Sequence, residues 1–369
     1  MLHKLKLPNN TELRNVMAFQ RDLLGFACDP TISRPVNTAF DRAEVEDRFV
    51  ARWPTFWQSI YHGKLTAFGT AIKNLNDMVR GNNALASSVL NAYDNDVQFD
   101  TRFNDPTFAF QFPTLPTNVR DELKTILVQF YTWLSGGNGF SANVTQVADF
   151  QRRHFVERFI STNSQINVCP ACDGPRADRD ESRVHASVDH YFPKGKHAPL
   201  SIHPLNLVPT CKHCNETFKG ENDPTDMACV AEMFLPYLRE PFGPIRVLVR
   251  RDANMQFVVE LDDAGQSVTP RLEALEHVYA LKRRWPQRVF ERAIPHIQES
   301  MRSLSRCLRR HHVLSPIEHD VDATLRDQRN DFRNERGTIH DRILFEAYVE
   351  FVLADPKEFQ ETIKECLNV

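Results

Sequence analysis

The sequence predicts an α+β chain that is mostly helical, with one short Cys- and His-rich segment between two helical regions. Three observations carry this reading. In "NVRDELKTILVQFYTWLSGG", Val119, Leu123, Ile126, Leu127, Phe130 and Leu134 recur at helical spacing. Residues 166–235 lose that period and hold two C-x-x-C pairs among Pro, Asn and short apolar runs. Beyond them, "PIRVLVRR" and "MQFVVELDD" flank Asp252-Ala253-Asn254 and predict a β-hairpin. The chain is therefore expected to divide into a helical region (1–165), a central segment (166–235), and a hairpin followed by helices (236–369).

Taken in order, the helix around Leu123 is expected to carry acids in its first turn and to end at Gly136-Gly137. Before it, "DTRFNDPTFAFQFPTLPTN" has three Pro and several Phe without a helical period, which predicts an ordered loop anchored by aromatic rings. A further helix from about Thr145 to Ile160 should deliver the chain to Cys169. No residue of this first region points to chemistry. Near the other end, "ADPKEFQETIKECL" predicts a helix with Asp355 as N-cap, Pro356 at the first position and Glu358 completing a capping box.

A net charge of -3 argues against coating nucleic acid by bulk electrostatics, although a local basic face is still allowed. Lys282 to Arg310 is the candidate face, with nine Lys/Arg against Glu291 and Glu299, a local charge of +7. The same stretch also reads as an amphipathic helix whose apolar side is Val289, Ile294, Ile297, Met301, Leu304 and Leu308. No run approaches the ~18 apolar residues of a membrane span. The opening "MLHKLKLPNN" lacks the apolar run of a secretory signal, so a cytoplasmic protein is expected.

Of eight cysteines, Cys169 and Cys172 form one pair, and Cys211 and Cys214 another. Each pair can give two thiolates to a tetrahedral ion, and four thiolates make a closed structural zinc site with no open position. A redox motif would need a thioredoxin-like strand and helix, which "INVCPACDGP" does not offer. Cys28, Cys229, Cys307 and Cys366 read as small buried hydrophobes.

Most of the stretch "VDHYFPKGKHAPLSIHPLNLVPTCKHCNETFKG" lies between the two pairs. Phosphodiester hydrolysis needs a base for water and a cation for the departing oxygen. His190 is a base suited to neutral pH. Asp189 and Asn215 carry the hard oxygen donors that Mg²⁺ or Mn²⁺ prefers. His185, His197, His203 and His213 fit no required role and read as packing or surface residues.

"CPAC", "DHYFPK" and "HPLNLVPTCKHCNETFKG" together resemble the HNH endonuclease family, which has a ββα-metal fold, here with an added four-cysteine zinc site. The resemblance covers about 55 residues. It implies that His190 is the general base, Asp189 and Asn215 ligands of a catalytic divalent ion, and Asn206 a brace for the loop that aims the base. Lys194 and Lys219 would then meet the nucleic acid, Lys219 facing a phosphate. The later "MFLPYLREPF" and "LEHVYALKRRW" are similar to HNH nucleases of bacterial antiphage systems such as Septu, which implies DNA as substrate and a partner ATPase. One such core cuts one strand, so a double-strand break would need two copies or two events, and a homo-oligomer is a candidate state. The rival reading is a zinc-stabilised nucleic-acid-binding or scaffold subunit without chemistry.

Overall fold

The computed structural model describes the chain except residues 1, 33, 46, 48–66, 137–149, 177, 181–182, 186, 240–244, 312–316 and 368–369. The first region holds α1 (Thr11–Ala27), α2 (Ala67–Val79), α3 (Asn83–Val97), α4 (Thr117–Ser135) and α5 (Arg152–Thr162). The six apolar residues read from the sequence are the buried stripe of α4, which packs on α2. Burying each such side chain is worth about 1.5–3 kcal/mol before entropy is counted. Because α4 starts at Thr117, directly after Pro116, Asp121 and Glu122 fall in its second turn and the first turn carries no acid. The helix expected from Thr145 is α5 and begins at Arg152, residues 145–149 lying outside the described part.

The Phe-rich loop is ordered as expected. Phe108, Phe110 and Phe112 are buried, and the Phe110 ring, with that of Phe99 just before the loop, meets Phe192 of the central segment at 4.9 and 5.5 Å.

Among the described residues there are three two-stranded antiparallel sheets. They pair β1 (Asp178–Asp180) with β2 (Arg183–His185), β3 (Ser187–His190) with β4 (Leu207–Thr210), and β5 (Arg246–Arg251) with β6 (Phe257–Asp262). The β5–β6 pair is the predicted hairpin, its turn held by Asp252 Oδ1, which accepts from the backbone N–H of Asn254 and Gln256. Then follow α6 (Thr269–Tyr279), α7 (Leu281–Arg288), α8 (Ile294–His311), α9 (Ile317–Asn334), α10 (Arg342–Ala354) and α11 (Pro356–Leu367).

At α11, Asp355 caps the N–H groups of Lys357 and Glu358. The capping box is not completed. The Glu358 carboxylate goes to Arg251 at 2.5 Å, and the Asp355 N–H donates to Phe351 O. A guanidinium is the stronger partner for a carboxylate than a backbone amide.

Two apolar cores result, and the central segment is divided between them. Val188, Ala198, Ile202 and Leu207 join the core of α1–α4. Tyr191, Phe192, Leu200, Leu205 and Val208 join the core of the C-terminal helices and the β5–β6 hairpin. The chain start crosses to the second core, where Leu2 is fully buried and its N–H donates to Pro170 O at 2.6 Å. No helix is long and apolar enough to cross a membrane.

The basic stretch is helical throughout, as the amphipathic reading expects, but its winding changes part-way. A π-helical turn, Val289–Ala293, separates α7 from α8. Val289, Ile297 and Met301 are buried as the apolar reading expects. Several of its cations serve the protein itself: Arg288 and Arg292 pair with buried Asp341, while Arg302 and Arg306 share Glu299. The isolated cysteines also divide. Cys28 is buried, Cys229 is half-buried and Cys307 is exposed, so burial holds only for the first; the Cys366 side chain lies outside the described part.

Candidate active site and metal centre

The sulfurs of Cys169, Cys172, Cys211 and Cys214 lie within 4.8 Å of one another. A tetrahedral ion with ~2.3 Å metal–sulfur bonds sets sulfurs about 3.8 Å apart, and Cys172 Sγ to Cys211 Sγ is 4.0 Å, twice a disulfide bond. The surroundings suit thiolate rather than thiol. The N–H of Cys211 points to Cys169 Sγ and that of Cys214 to Cys211 Sγ, both at 3.4 Å. Arg284 brings Nη1 to 3.3 Å from Cys214 Sγ, while Arg288 and Trp285 donate to Cys172 O. Two guanidiniums of α7 would thus offset the negative charge that four thiolates would place around a divalent ion. His3 ties the far side of the first pair, its Nε2 lying 2.8 Å from Asp173 Oδ1.

From this clamp rises the β3–β4 hairpin. Its register pairs Asp189 with Val208 and His190 with Leu207. The 16-residue excursion from His190 to Asn206 is closed at its base by the Asn206 side chain. Asn206 Oδ1 accepts from Phe192 N at 2.7 Å, and its Nδ2 donates to Phe192 O and Leu200 O at 3.0 Å. All four of the amide's bonding positions but one are used, with the group fully buried. Replacement by Leu strands these backbone groups, and Asn206→Leu is expected to lower unfolding free energy by about 2–4 kcal/mol, readable in urea denaturation.

His190 Nε2 lies 2.8 Å from Ser201 O. A carbonyl only accepts, so Nε2 carries the proton and the lone pair resides on Nδ1. Ser201 is itself anchored to α4, its Oγ donating to Leu127 O at 2.8 Å. Tyr131, one turn further along α4, sets its ring edgewise 4.3 Å from the imidazole and donates its hydroxyl to Val188 O. Lys194 holds Nζ 5.4 Å from the centre of the Tyr131 ring. Burial, with Lys194 and Lys219 adding repulsion, lowers the His190 imidazole to about 3 and keeps it neutral at physiological pH.

Asn215 follows β4 and donates Nδ2 to Ser187 Oγ at 2.5 Å and Val188 O at 3.5 Å, which leaves Oδ1 as its donor to a cation. Asp189 is 1% exposed. Its Oδ2 accepts from the Tyr279 hydroxyl at 3.1 Å, while Oδ1 has no hydrogen bond of good geometry and faces Lys219 Nζ at 3.3 Å. An oxygen buried in this way and an amide oxygen are the donor set that a small hard cation takes.

Lys219 is therefore turned inward, onto Asp189, and is 2% exposed. The cause is local winding. Residues His213–Lys219 form a π-helical turn, closed where Gly220 N donates to Asn215 O, with Gly220 at φ 48°. At α-helical pitch Lys219 would lie above Asn215. Bonding to the fifth residue places it instead above Cys214, and these two are the buried pair of the turn.

Of the other histidines near the site, His197 and His203 are packed and His213 is exposed, as expected, while the His185 side chain lies outside the described part. His197 Nε2 meets Asp223 Oδ2 at 2.7 Å within the core, and His213 lies against Phe218. His203 accepts Leu205 N–H on Nδ1 and lies with its ring tilted 4.8 Å from that of Phe99. Burial, with Arg14 nearby, lowers His203 to about 3. The unfolded imidazole takes up a proton below pH ~6.5 and the folded one does not, so stability is complete above that pH and falls as pH drops toward 3. His203→Gln is expected to flatten this loss by up to about 1.4 kcal/mol per pH unit between pH 6 and 4, as read from urea midpoints.

Sequence reasoning did not find Tyr131, Ser201 or Tyr279. Each acts by its position in space, and Tyr279 stands 90 residues after its partner. Compared with known proteins, the chain matches no family model, no curated protein and no solved structure.

Proposed function

We propose that this chain is a metal-dependent HNH endonuclease that hydrolyses DNA phosphodiester bonds. The observation that carries the reading is the hairpin of β3 and β4. It carries a carboxylate and an imidazole at consecutive positions of one strand, braces the returning loop through Asn206, and brings Asn215 in directly behind the second cysteine pair. A hairpin followed by a helical turn beside four clustered cysteines supports the reading as a ββα-metal core, in which the helix would be shortened to a π turn.

In this mechanism the cysteine tetrad holds zinc and does no chemistry. Asp189 and Asn215 would hold Mg²⁺ or Mn²⁺, which when bound stabilises negative charge on the scissile phosphate and its leaving oxygen. His190 takes a proton from the attacking water at Nδ1, while Ser201 O holds the other nitrogen and fixes the tautomer. Burial is the larger cause of the low basicity; a phosphodiester near Lys194 would offset the repulsion that adds to it and so raise the basicity of His190. Role and partner follow the resemblance: bacterial antiphage defence, beside an ATPase.

One observation favours the rival reading of a silent binding or scaffold subunit, namely that Asp189 is already neutralised by Lys219 inside the protein. Supercoiled plasmid incubated with the purified chain separates the two. The nuclease reading expects relaxed or linear product with Mg²⁺ or Mn²⁺ and none when divalent ions are withheld. Intact plasmid in Mg²⁺ and in Mn²⁺, alone and with the partner ATPase, together with intact RNA, would favour the scaffold.

A further inference from the structure

Asp189 is gripped at both oxygens by groups as buried as itself: Lys219 Nζ at Oδ1 and the Tyr279 hydroxyl at Oδ2. A carboxylate so enclosed needs a counter-charge, and Lys219 supplies it. The same oxygen is the one left without a well-formed hydrogen bond. An ammonium and a divalent ion cannot both sit closely on it without strong mutual repulsion.

We infer that Lys219 is a placeholder cation, occupying Asp189 Oδ1 until a divalent ion takes that oxygen, while Tyr279 keeps Oδ2 and holds the carboxylate in place. The inference rests on the reading of Asp189 as a metal ligand and adds a competitor within the chain. The π turn is what makes the competition, because it brings the Lys219 stem round to the Cys214 side and into the interior. The long stem lets the ammonium leave without movement of the backbone. Once displaced, Lys219 is available to an incoming phosphate, so metal loading and substrate contact are linked through one side chain. Tyr279 is tied to the zinc clamp, since Arg284 donates to Tyr279 O at 3.1 Å and also touches Cys214 Sγ. Asp189 therefore remains oriented when Lys219 departs.

Mn²⁺ binding, followed by electron paramagnetic resonance and calorimetry on the full chain with its zinc retained, tests this without reference to cleavage. Lys219→Met is expected to bind Mn²⁺ at least tenfold more tightly than the native chain and to gain more melting temperature from Mn²⁺. Lys219→Arg, whose fork holds the carboxylate more firmly, is expected to bind it more weakly. Tyr279→Phe should weaken binding several-fold with the melting temperature in zinc-only buffer little changed. Asp189→Asn is the reference that separates the two ideas. If Asp189→Asn leaves Mn²⁺ binding intact, the metal reading of Asp189 fails and the placeholder with it. If Asp189→Asn abolishes binding but neither lysine variant shifts it, the metal reading stands and the placeholder is wrong. Should Lys219→Met not fold, the direction of the Lys219→Arg shift decides alone.

Discussion

His190→Ala is expected to reduce metal-dependent plasmid nicking by about 10²–10⁴-fold, the range that loss of a positioned general base produces. The expectation follows from one hydrogen bond. Because Ser201 O takes the Nε2 proton, Nδ1 is the nitrogen able to accept a proton from water. The ring is also buried beside Tyr131, so its removal leaves a small cavity and strands the Ser201 carbonyl, at a cost of about 1–3 kcal/mol. Zinc content and near-ultraviolet circular dichroism must therefore be measured on the same sample. His190→Gln, which retains a donor for Ser201 O but no comparable base, is the companion variant. A folded, zinc-loaded His190→Ala protein that nicks at the native rate would remove His190 from the chemistry.

Loss of the tetrad metal should have the largest effect on stability. The purified chain is expected to carry one zinc, measured by mass spectrometry of the metal. Cys169→Ser, Cys172→Ser and Cys214→Ser are each expected to lose it and to melt more than 10 °C lower or fail to fold. Structural zinc contributes an apparent ~10–16 kcal/mol in small metal-dependent domains, enough to exceed the net stability of most proteins. Here the loss would spread. The tetrad joins residues 169–172 to 211–214, and Arg284 and Arg288 would be left as largely buried cations without the thiolates they offset. Those arginines lie on α7 in the C-terminal core, so removal of the ion should loosen the helices as well as the hairpin. A zinc-free chain with an unchanged melting curve would show that the tetrad is a packed cluster of thiols.

What could be read beforehand was whatever depends on residues near in sequence. The stripe of α4, the β5–β6 hairpin and the Asp355 cap are products of period and turn chemistry, and each is found where it was expected. The cysteine tetrad was legible too, because two C-x-x-C pairs leave few ways to bury four thiols. Asn206 as a loop brace came from the resemblance, and its three hydrogen bonds show the loop it holds.

Side-chain direction and remote partners were not legible. Lys219 lies four residues from Asn215 in sequence, which at α pitch would place it on the same face. The π winding that turns it onto Asp189 depends on Cys214 being held by its clamp. Tyr279 and Tyr131 reach the site only because the two apolar cores divide the central segment between them, bringing α4 to one side and α6 to the other. Glu358 chose Arg251 over its own helix for the same reason: a guanidinium arriving from a distant strand outweighs a neighbouring amide. The elements, the four-cysteine cluster and the order of the candidate site residues follow from local periodicity and ligand spacing, and were readable before any fold was known. How Asp189 and His190 are charged and held was not, because burial and counter-charge come from chain segments that no local pattern brings together.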